Sequence, residues 1–498
     1  MRRTTTFLAL LTAASLALPA GAAAPLPVPS KYGTAKGFSL VGYTSLGKRG
    51  MNSPIAVAGS CVYVGDRSAR NGIAIVDVRK PNKPKQVGTI KPAAGATQRE
   101  IRADQRLGIL VVMSYSLTTG GAGNTLKTYD IRNCTKPVLL STVDFGPRSP
   151  HEFFLWKDPA NKGRALAYVA FTLFSPDLMV YDLTDPKAPK LAAVYDLGAD
   201  IADLRGGATG VTSSNGGYLH SVAVSDDGKQ AYLSTWDFGM IVADTSSLAA
   251  RSPGVVVPAS APLQYAGNVH GAVKVPGKPY AVLVQEGYAT TADLVTKQGG
   301  CPFGWLRMAD VSNPVMPTLT GGEFKLREND CDRATALNGT FTSHNQTVFP
   351  NVALVPWYGG GLRAVDISDP KAPVEAGAFV PKPTFTPDYR DNRLYFRNED
   401  RWTGAMWSYP VVQNGLIYVV DIDLGLYVLR YTGKHAKEVS QAPFVEGNSA
   451  PSVYKRPANV VVVGPGNRAA GPPTYVRAPY ADLPLPKGTT KYGFFCAL

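Results

Sequence analysis

Short runs of β-branched and aromatic residues, each ending in a polar turn with proline, recur along the chain. Five runs end in a clear aspartate, one in a weaker copy and one in an arginine: Asp77, Asp130, Asp182, Asp310, Asp366, Asp244 and Arg430. These positions are 52–66 residues apart, which leaves room for four short strands and their turns. Such a long period predicts propeller blades, because a β-sandwich has strands about every 8–12 residues without longer self-similarity.

Seven copies predict an all-β, seven-bladed β-propeller, in which each blade runs from an inner strand at the axis to an outer strand at the rim. The last copy has no evident outer strand after Tyr431. The N-terminal residues 40–43, however, resemble the outer strands at 86–89 and 375–378. We therefore expect this N-terminal strand to pair with the last blade and close the ring, which leaves no exposed sheet edge.

Two copies of the repeat also carry a family resemblance. The segments VDISDPKAP (365–373) and YDLTDPKAP (181–189) resemble LVIVD repeats, which occur mostly in exported bacterial propellers. The resemblance covers residues 38–431 and extends to PHEFFLW (150–156) and SHN (343–345). It implies the fold and no particular activity, since the family has no single established one. Over one blade, the DISDP turn is similar to the selenium-binding protein and methanethiol oxidase group.

Composition agrees with a turn-rich β protein of 498 residues: 50 Gly, 40 Pro, 45% hydrophobic and 18% charged side chains. The net charge is +14, but Lys and Arg are scattered and form no block with aromatic residues. A nucleic-acid partner is therefore not indicated. We predict a signal peptide (1–24), a linker (25–37), the propeller (38–431) and a Pro/Gly-rich tail (432–498) that wraps the propeller.

The N-terminus has the pattern of a secretory signal. Arg2 and Arg3 precede an apolar run at 7–18, and small residues follow up to Ala24. This run is too short to span a bilayer, and no other stretch reaches 18 apolar residues. We expect an exported protein without a transmembrane segment, located in the periplasm, the cell envelope or outside the cell.

Four of the five histidines occupy one position in successive blades. His151, His220, His270 and His344 stand at the start of the inner strands of blades 3 to 6. The first residues of an inner strand reach the central channel at one of its mouths, so four imidazoles meet there. Imidazole nitrogens suit one transition-metal ion, Cu, Fe or Zn. The fifth histidine, His435, is expected to be a solvated loop residue.

A structural role for these histidines is the alternative. In WD-type propellers, a repeated histidine near the inner strand bonds to a Ser or Thr and an Asp of its own blade. Ser234, Thr235 and Asp237 could serve His220 in this way, whereas blades 5 and 6 offer no uniform partner. Both interpretations remain open from the sequence.

Carboxylates and long loops are predicted on the same face as the histidines. Glu100, Glu152 and Glu286 lie near strand ends and could complete a coordination shell, orient a ligand or act as a base. Loops on one face of a rigid scaffold usually bind or cover something; here they span 199–217, 289–304, 325–340 and 380–403. The side chains expected to line an apolar mouth are Trp357, Tyr358 and Trp407.

Five cysteines in an exported chain predict disulfides with one cysteine left over. Cys301 and Cys331 fall in loops of adjoining blades on the histidine face, and we expect them to pair. Cys61 and Cys134 belong to the opposite face of neighbouring blades, where pairing is also allowed. Cys496 is the odd one.

Two function classes follow. One is a metalloprotein with a mononuclear site, a metal-dependent oxidoreductase acting on a small-molecule substrate. The other is an interaction scaffold whose loop face binds an envelope protein or polysaccharide, with structural histidines. The sequence has no C-x-x-C-H, H-E-x-x-H, G-x-S-x-G or phosphate-binding motif, so those chemistries are not indicated.

Overall fold

Short antiparallel strands joined by tight turns make up nearly all of the regular structure. The structure is a computed structural model, and it describes residues 28–116, 123–172, 176–196, 217–236, 238–250, 257–258, 263, 268–287, 304–326, 341–382, 397–398, 401–402, 405–447 and 471–477. The predicted signal peptide, Cys301, Cys331 and Cys496 lie outside these residues, as do most of the four long loops.

The strands are as follows, in chain order. Two precede the first blade: β1 (Gly33–Lys36) and β2 (Phe38–Thr44). Blade 1 contains β3 (Asn52–Ala58), β4 (Cys61–Asp66), β5 (Ile73–Asp77) and β6 (Lys85–Ile90). Blade 2 contains β7 (Ala96–Asp104), β8 (Ile109–Ser116), β9 (Thr125–Asp130) and β10 (Val138–Asp144). Blade 3 contains β11 (Phe153–Lys157), β12 (Ala165–Ala170), β13 (Leu178–Asp182) and β14 (Lys190–Tyr195).

Blade 4 contains β15 (Gly217–Val224), β16 (Gln230–Trp236), β17 (Met240–Asp244) and β18 (Val257–Pro258), with helix α1 (Ser246–Ala249) before β18. Blade 5 contains β19 (Gly271–Lys274), β20 (Tyr280–Val284), β21 (Leu306–Asp310) and β22 (Thr318–Phe324). Blade 6 contains β23 (Thr347–Val348), β24 (Val352–Pro356), β25 (Leu362–Asp366) and β26 (Val374–Pro381). A separate hairpin is formed by β27 (Arg397–Asn398) and β28 (Arg401–Trp402).

Blade 7 contains β29 (Val411–Gln413), β30 (Leu416–Asp421) and β31 (Gly425–Tyr431). Helix α2 (Ala436–Gln441), β32 (Phe444–Glu446) and β33 (Thr474–Arg477) follow. In each blade, strands adjacent in sequence pair with each other, so the predicted seven-bladed β-propeller is the fold of the described chain.

Segments from both ends of the described chain complete three blades. β2 lies antiparallel to β31 and supplies the outer strand that blade 7 lacks. β1, within the predicted linker, adds a fifth strand outside β26 of blade 6. β33 runs parallel to β10 at the rim of blade 2. β32 pairs with β29 on the axis side of blade 7, so the predicted tail also enters the channel.

The aspartate that ends each repeat makes the same turn in six blades. Its Oδ1 accepts a hydrogen bond from the backbone N–H two residues later, at 2.9 Å for Asp77, 2.8 Å for Asp182 and 2.9 Å for Asp366. Asp130, Asp244 and Asp310 do the same. This geometry is an Asx turn, which explains why the repeat is marked by aspartate.

The cores lie between the blades because each sheet has two apolar faces. Leu166 and Tyr168 of blade 3, for example, pack in one cluster with Leu233 and Ile241 of blade 4. These four side chains are fully buried. Burying one large apolar side chain stabilises the fold by about 1.5–3 kcal/mol, so the blade interfaces carry most of the stability.

Two further contacts bear on the predictions. A disulfide joins Cys61 to Cys134, with Cα atoms 5.9 Å apart, and so links blades 1 and 2. His435 is not a solvated loop residue, contrary to expectation: its Nε2 lies 3.1 Å from Oδ1 of Asp366. In the part of the chain that the structure describes, no helix is long and apolar enough to cross a membrane.

Candidate metal centre

The four in-phase histidines lie side by side at one mouth of the channel, and we call them the histidine arc: His151, His220, His270 and His344. Their ring centroids are 4.2, 4.2 and 4.0 Å apart in chain order. His220 lies within β15, and His151, His270 and His344 lie one to three residues before β11, β19 and β23. The same place in four successive blades thus brings four imidazoles into contact.

Backbone carbonyls fix the protonation of two rings in the arc. Nδ1 of His220 lies 3.2 Å from the carbonyl oxygen of His270, and Nδ1 of His344 lies 2.6 Å from that of Trp407. A carbonyl can only accept, so each Nδ1 carries the hydrogen and donates. In the neutral ring, Nε2 then keeps its lone pair. This tautomer is typical of a histidine that binds a metal through Nε2.

Nε2 atoms of neighbouring rings in the arc lie close together. Nε2 of His151 lies 2.8 Å from Nε2 of His220. Nη2 of Arg99 lies 2.7 Å from Nε2 and 3.1 Å from Nδ1 of His151, so it can donate to either ring nitrogen. With the His151 hydrogen on Nε2, the 2.8 Å contact is a hydrogen bond to His220. With that hydrogen on Nδ1, two lone pairs face each other, and a cation between them would remove their repulsion. With metal–nitrogen bonds of about 2.0–2.1 Å, two nitrogens at right angles about one ion are about 2.9 Å apart.

Two of the three predicted carboxylates join the arc. Glu152 Oε1 and Glu286 Oε2 lie 3.8 and 3.6 Å from Nε2 of His270. Glu286 Oε1 also lies 3.4 Å from Nε2 of His344. Two groups of three residues therefore have the spacing to hold a metal ion, with ligand atoms within 4.8 Å of one another: Glu152, His220 and His270, and His270, Glu286 and His344.

Neighbouring polar groups hold these carboxylates in place. Asn345 donates from Nδ2 to Oε1 of Glu152 at 3.2 Å, across the channel from blade 6 to blade 3. The hydroxyl of Tyr358 donates to Oε1 of Glu286. Asn268 bonds both backbone polar groups of Glu286, at 2.6 and 3.1 Å. Such outer contacts orient ligands in metal sites.

Aromatic rings hold the two imidazoles whose tautomers are fixed. Trp236 stacks on His220 at 4.7 Å and Trp407 on His344 at 5.9 Å between centroids. Trp236 and Tyr358 have positive φ angles of 54° and 47°, which are uncommon for bulky residues. Backbone strain of this kind is concentrated at functional sites.

Burial keeps three imidazoles of the arc uncharged. The pKa values of His151, His220 and His270 are held well below the usual value, first by burial and then by Arg99, His151 and His344 respectively. Burial, with the charge of Glu100, raises the pKa of Glu152 to about 8. Neutral imidazoles are the form that binds metal, so protons compete little for these nitrogens near neutral pH.

The third predicted carboxylate has a different role. Glu100 forms an ion pair with Arg102 at 2.5 Å and accepts the backbone N–H of Phe153 at 2.6 Å. Burial raises the pKa of Glu100, against the effect of Arg102. It therefore ties the inner strands of blades 2 and 3 together below the arc.

Neither Ser234 nor Thr235 bonds to His220 in the described contacts of blade 4. Thr235 donates to the carbonyl of Gly239 at 3.0 Å, and Ser234 Oγ is buried without a hydrogen-bond partner among the described residues. His220 is instead directed to His151 and His270. Asp237, the remaining partner considered for that alternative, lies outside the described residues.

The predicted aromatic mouth is correct in part. Tyr358 and Trp407 lie 5.6 and 5.9 Å from His344. Trp357 does not line the mouth: it packs edge-on against Phe324, 5.4 Å away, in the core between blades. The left-handed backbone at Tyr358 turns that side chain towards the channel and leaves its predecessor in the core.

Arg99 is a site residue that was not predicted from the sequence, and it stands in blade 2 where blades 3 to 6 have histidine. Its Nε donates to the carbonyl of His151 at 3.0 Å, and Nη2 contacts the imidazole. Arg99 precedes His151 by 52 residues, a spacing within the range of the repeat, so the repeat carried the signal.

Comparison with known proteins identifies the repeat. Residues 49–91 and 351–380 match the LVIVD repeat family model, which places matches in blade 1 and blade 6. The sequence has no significant match among curated proteins.

Solved structures show only low similarity. The β-propeller domain of Cps50 (Swd1) from Myceliophthora thermophila has 10% identity and a TM-score of 0.45, over 76% of this chain and 96% of that one. Saccharomyces cerevisiae Sqt1 has 8% identity and a TM-score of 0.45, over 77% and 97%. A hypothetical selenium-binding protein from Sulfolobus tokodaii has 14% identity and a TM-score of 0.38, over 55% and 66%. The fold therefore rests on the seven sheets themselves and on the matched repeats. The chain is a seven-bladed β-propeller that carries LVIVD repeats.

Proposed function

We propose that the histidine arc, with Glu152 and Glu286, binds one transition-metal ion at the channel mouth. The observation that carries this proposal is that Nε2 of His220 and of His344 is unprotonated, because each Nδ1 donates to a backbone carbonyl, and that each ring belongs to a three-residue group with the spacing of a metal site. A single ion is favoured because both three-residue groups share His270.

The donor set favours Fe, Cu or Zn. Imidazole suits all three ions, and two histidines with one carboxylate are the ligands of many non-haem Fe(II) oxygenases. Each three-residue group has this composition. The activity class that we propose is therefore metal-dependent oxidation or reduction of a small molecule.

We also propose that the protein works outside the cytoplasm. The Cys61–Cys134 disulfide indicates an oxidising compartment, and the N-terminal sequence has the pattern of an export signal. The interaction-scaffold alternative depended on long loops that lie mostly outside the described residues.

Elemental analysis of the purified full-length protein, made without a histidine tag, tests the metal proposal. We expect about one equivalent of Fe, Cu or Zn in the native protein. His270→Ala should bind the metal at least about tenfold more weakly and so retain less of it, because both three-residue groups lose a ligand. His435→Ala is the matched control, since His435 lies at Asp366, outside the arc, and should leave the metal content unchanged.

Two results would contradict the metal proposal. One is a native protein that takes up none of the three ions after loading with each. The other is a His270→Ala variant that keeps native metal content and native circular dichroism.

A further inference from the structure

Contacts around the channel mouth continue beyond the histidine arc and return to its start. Arg67, which follows β4 in blade 1, lies with its guanidinium 5.3 Å from the ring of Trp407. Its Nη1 donates to the carbonyl of Arg99 at 3.2 Å. Trp407 contacts His344, and Arg99 contacts His151. One side of the mouth is therefore imidazole and the other side is guanidinium and indole.

The two guanidiniums share one aromatic ring. Arg67 and Arg99 lie 5.9 and 5.7 Å from the centroid of Tyr115, on strand β8 of blade 2. Burial, together with the charge of Arg99, lowers the pKa of Arg67 to about 10, so holding the two like charges here is costly. Cation–π contacts offset part of this cost, and an anion at the same place would offset more.

Exposure is greater on the guanidinium side of the mouth. Arg67, Arg99 and His344 are half-buried, whereas His151, His220 and His270 are only 1–4% exposed. A ligand arriving from solvent would therefore meet the guanidiniums before the more deeply buried imidazoles.

We propose that Arg67 and Arg99 bind the carboxylate of an organic substrate and hold the rest of that molecule against the histidine arc. Planar guanidiniums match the planar carboxylate. The nearby Glu286 disfavours a dianion such as phosphate more than a monoanion. The carboxylate site does not depend on the metal, and only the placement beside an ion rests on the proposed function.

Calorimetric titration of the metal-free full-length protein with benzoate and with inorganic phosphate tests this site. We expect benzoate to bind the native protein and Arg67→Gln to weaken it by at least about tenfold, since a charge-assisted contact is lost. Arg70→Gln is the matched control, because Arg70 is an exposed arginine three residues further along the same loop. It should bind benzoate like the native protein.

Three results would overturn the carboxylate site: no benzoate binding by the native protein, unchanged binding by Arg67→Gln, or phosphate bound more tightly than benzoate. Metal content measured on the same samples separates the two proposals. Benzoate binding without metal uptake would refute the proposed function and leave the carboxylate site standing. Metal uptake with equal benzoate affinity in native and Arg67→Gln proteins would support the proposed function and refute the carboxylate site.

Discussion

The hydrogen on each imidazole determines what the channel mouth can bind. His220 and His344 each donate the Nδ1 hydrogen to a backbone carbonyl, so Nε2 remains an acceptor. The two nearby carboxylates differ in their partners. Glu152 lies beside His270 of the arc, whereas Glu100 forms an ion pair with Arg102. Two buried glutamates of similar appearance in the sequence are thus expected to respond differently to substitution.

We expect Glu152→Gln to weaken metal binding about 10–100-fold with little change in stability, because an oxygen near the ion loses its charge. Glu100→Gln should instead leave metal binding unchanged and lower the free energy of unfolding by about 3 kcal/mol, because Arg102 loses its buried partner. Metal titration and denaturant unfolding of both variants check this pair. Native metal affinity in Glu152→Gln, or weakened affinity in a stable Glu100→Gln, would contradict it.

Asp366 gives a prediction for acid stability. Burial raises its pKa, but hydrogen bonds from Lys434 and Ser368 outweigh burial and lower the pKa to about 2, below the ordinary value of 3.8. A lowered carboxyl pKa stabilises the folded state above about pH 4, and this stabilisation is lost as the pH falls towards 2. We expect Asp366→Asn to cost about 1–2 kcal/mol at pH 7, with the difference vanishing near pH 2.

Unfolding free energies of the native protein and Asp366→Asn, measured from pH 7 to pH 2, check this prediction. Asp369→Asn is the control, since Asp369 is exposed and its Oδ1 accepts only a local bond from Lys371 among the contacts described. A pH-independent difference between the native protein and Asp366→Asn would argue against the assigned role.

At the level of strands and turns, the proline turn of the repeat joins one blade to the one before it. The carbonyl of Pro186 in blade 3 accepts hydrogen bonds from Thr128 and Ser141 of blade 2, at 2.6 and 2.8 Å. The carbonyl of Pro370 in blade 6 accepts one from Thr320 of blade 5 at 2.6 Å. The sequence motif that marks each blade therefore also makes the contact between blades.

Gly322 of β22 tests this joint, because a Cβ at this position would lie 2.1 Å from the carbonyl oxygen of Pro370. We expect Gly322→Ala to lower the free energy of unfolding by about 1–3 kcal/mol through overpacking. Gly163→Ala is the control, since its nearest contact would be an acceptable 3.4 Å, and it should change stability by less than about 0.5 kcal/mol. Equal free energies of unfolding of the two variants would show that the contact between Gly322 and Pro370 can shift without loss of stability.

For the molecule as a whole, β32 connects parts of the ring that are distant in sequence. Glu446 at its end forms a 2.8 Å ion pair with Lys157 of blade 3 and accepts the backbone N–H of Ala103 in blade 2 at 3.0 Å. Since β32 is itself paired with blade 7, this segment crosses the channel on the side away from the histidine arc.

Breaking the buried pair should be costly. We expect Glu446→Gln or Lys157→Met alone to lower the free energy of unfolding by about 3–5 kcal/mol, because each leaves a buried charge without its partner. The double variant should recover at least half of the summed loss. Denaturant unfolding of the four proteins measures this coupling, and additive losses would show that the two side chains act independently.

Features that recur from blade to blade could be predicted from the sequence, whereas contacts that occur only once could not. The blades and the shared position of the histidines follow from a period of 52–66 residues, and the Asx turns explain why aspartate carries it. Arg67 comes from a turn of blade 1, outside the histidine register. The contact of His435 with Asp366 joins residues 69 positions apart, and no sequence pattern indicates it. The position of Trp357 in the core between blades depends on the left-handed backbone of the next residue, Tyr358.

The crossing of the channel by β32 has a consequence for the order of events at the mouth. Because β32 contacts blades 7, 2 and 3 at the far end, we expect an ion at the arc and a carboxylate above it to use the same opening, so that the last to enter is the first to leave. A bound acid would then trap the ion kinetically. Removal of the metal by a chelator should accordingly slow down as benzoate is added, and slow down less in Arg67→Gln.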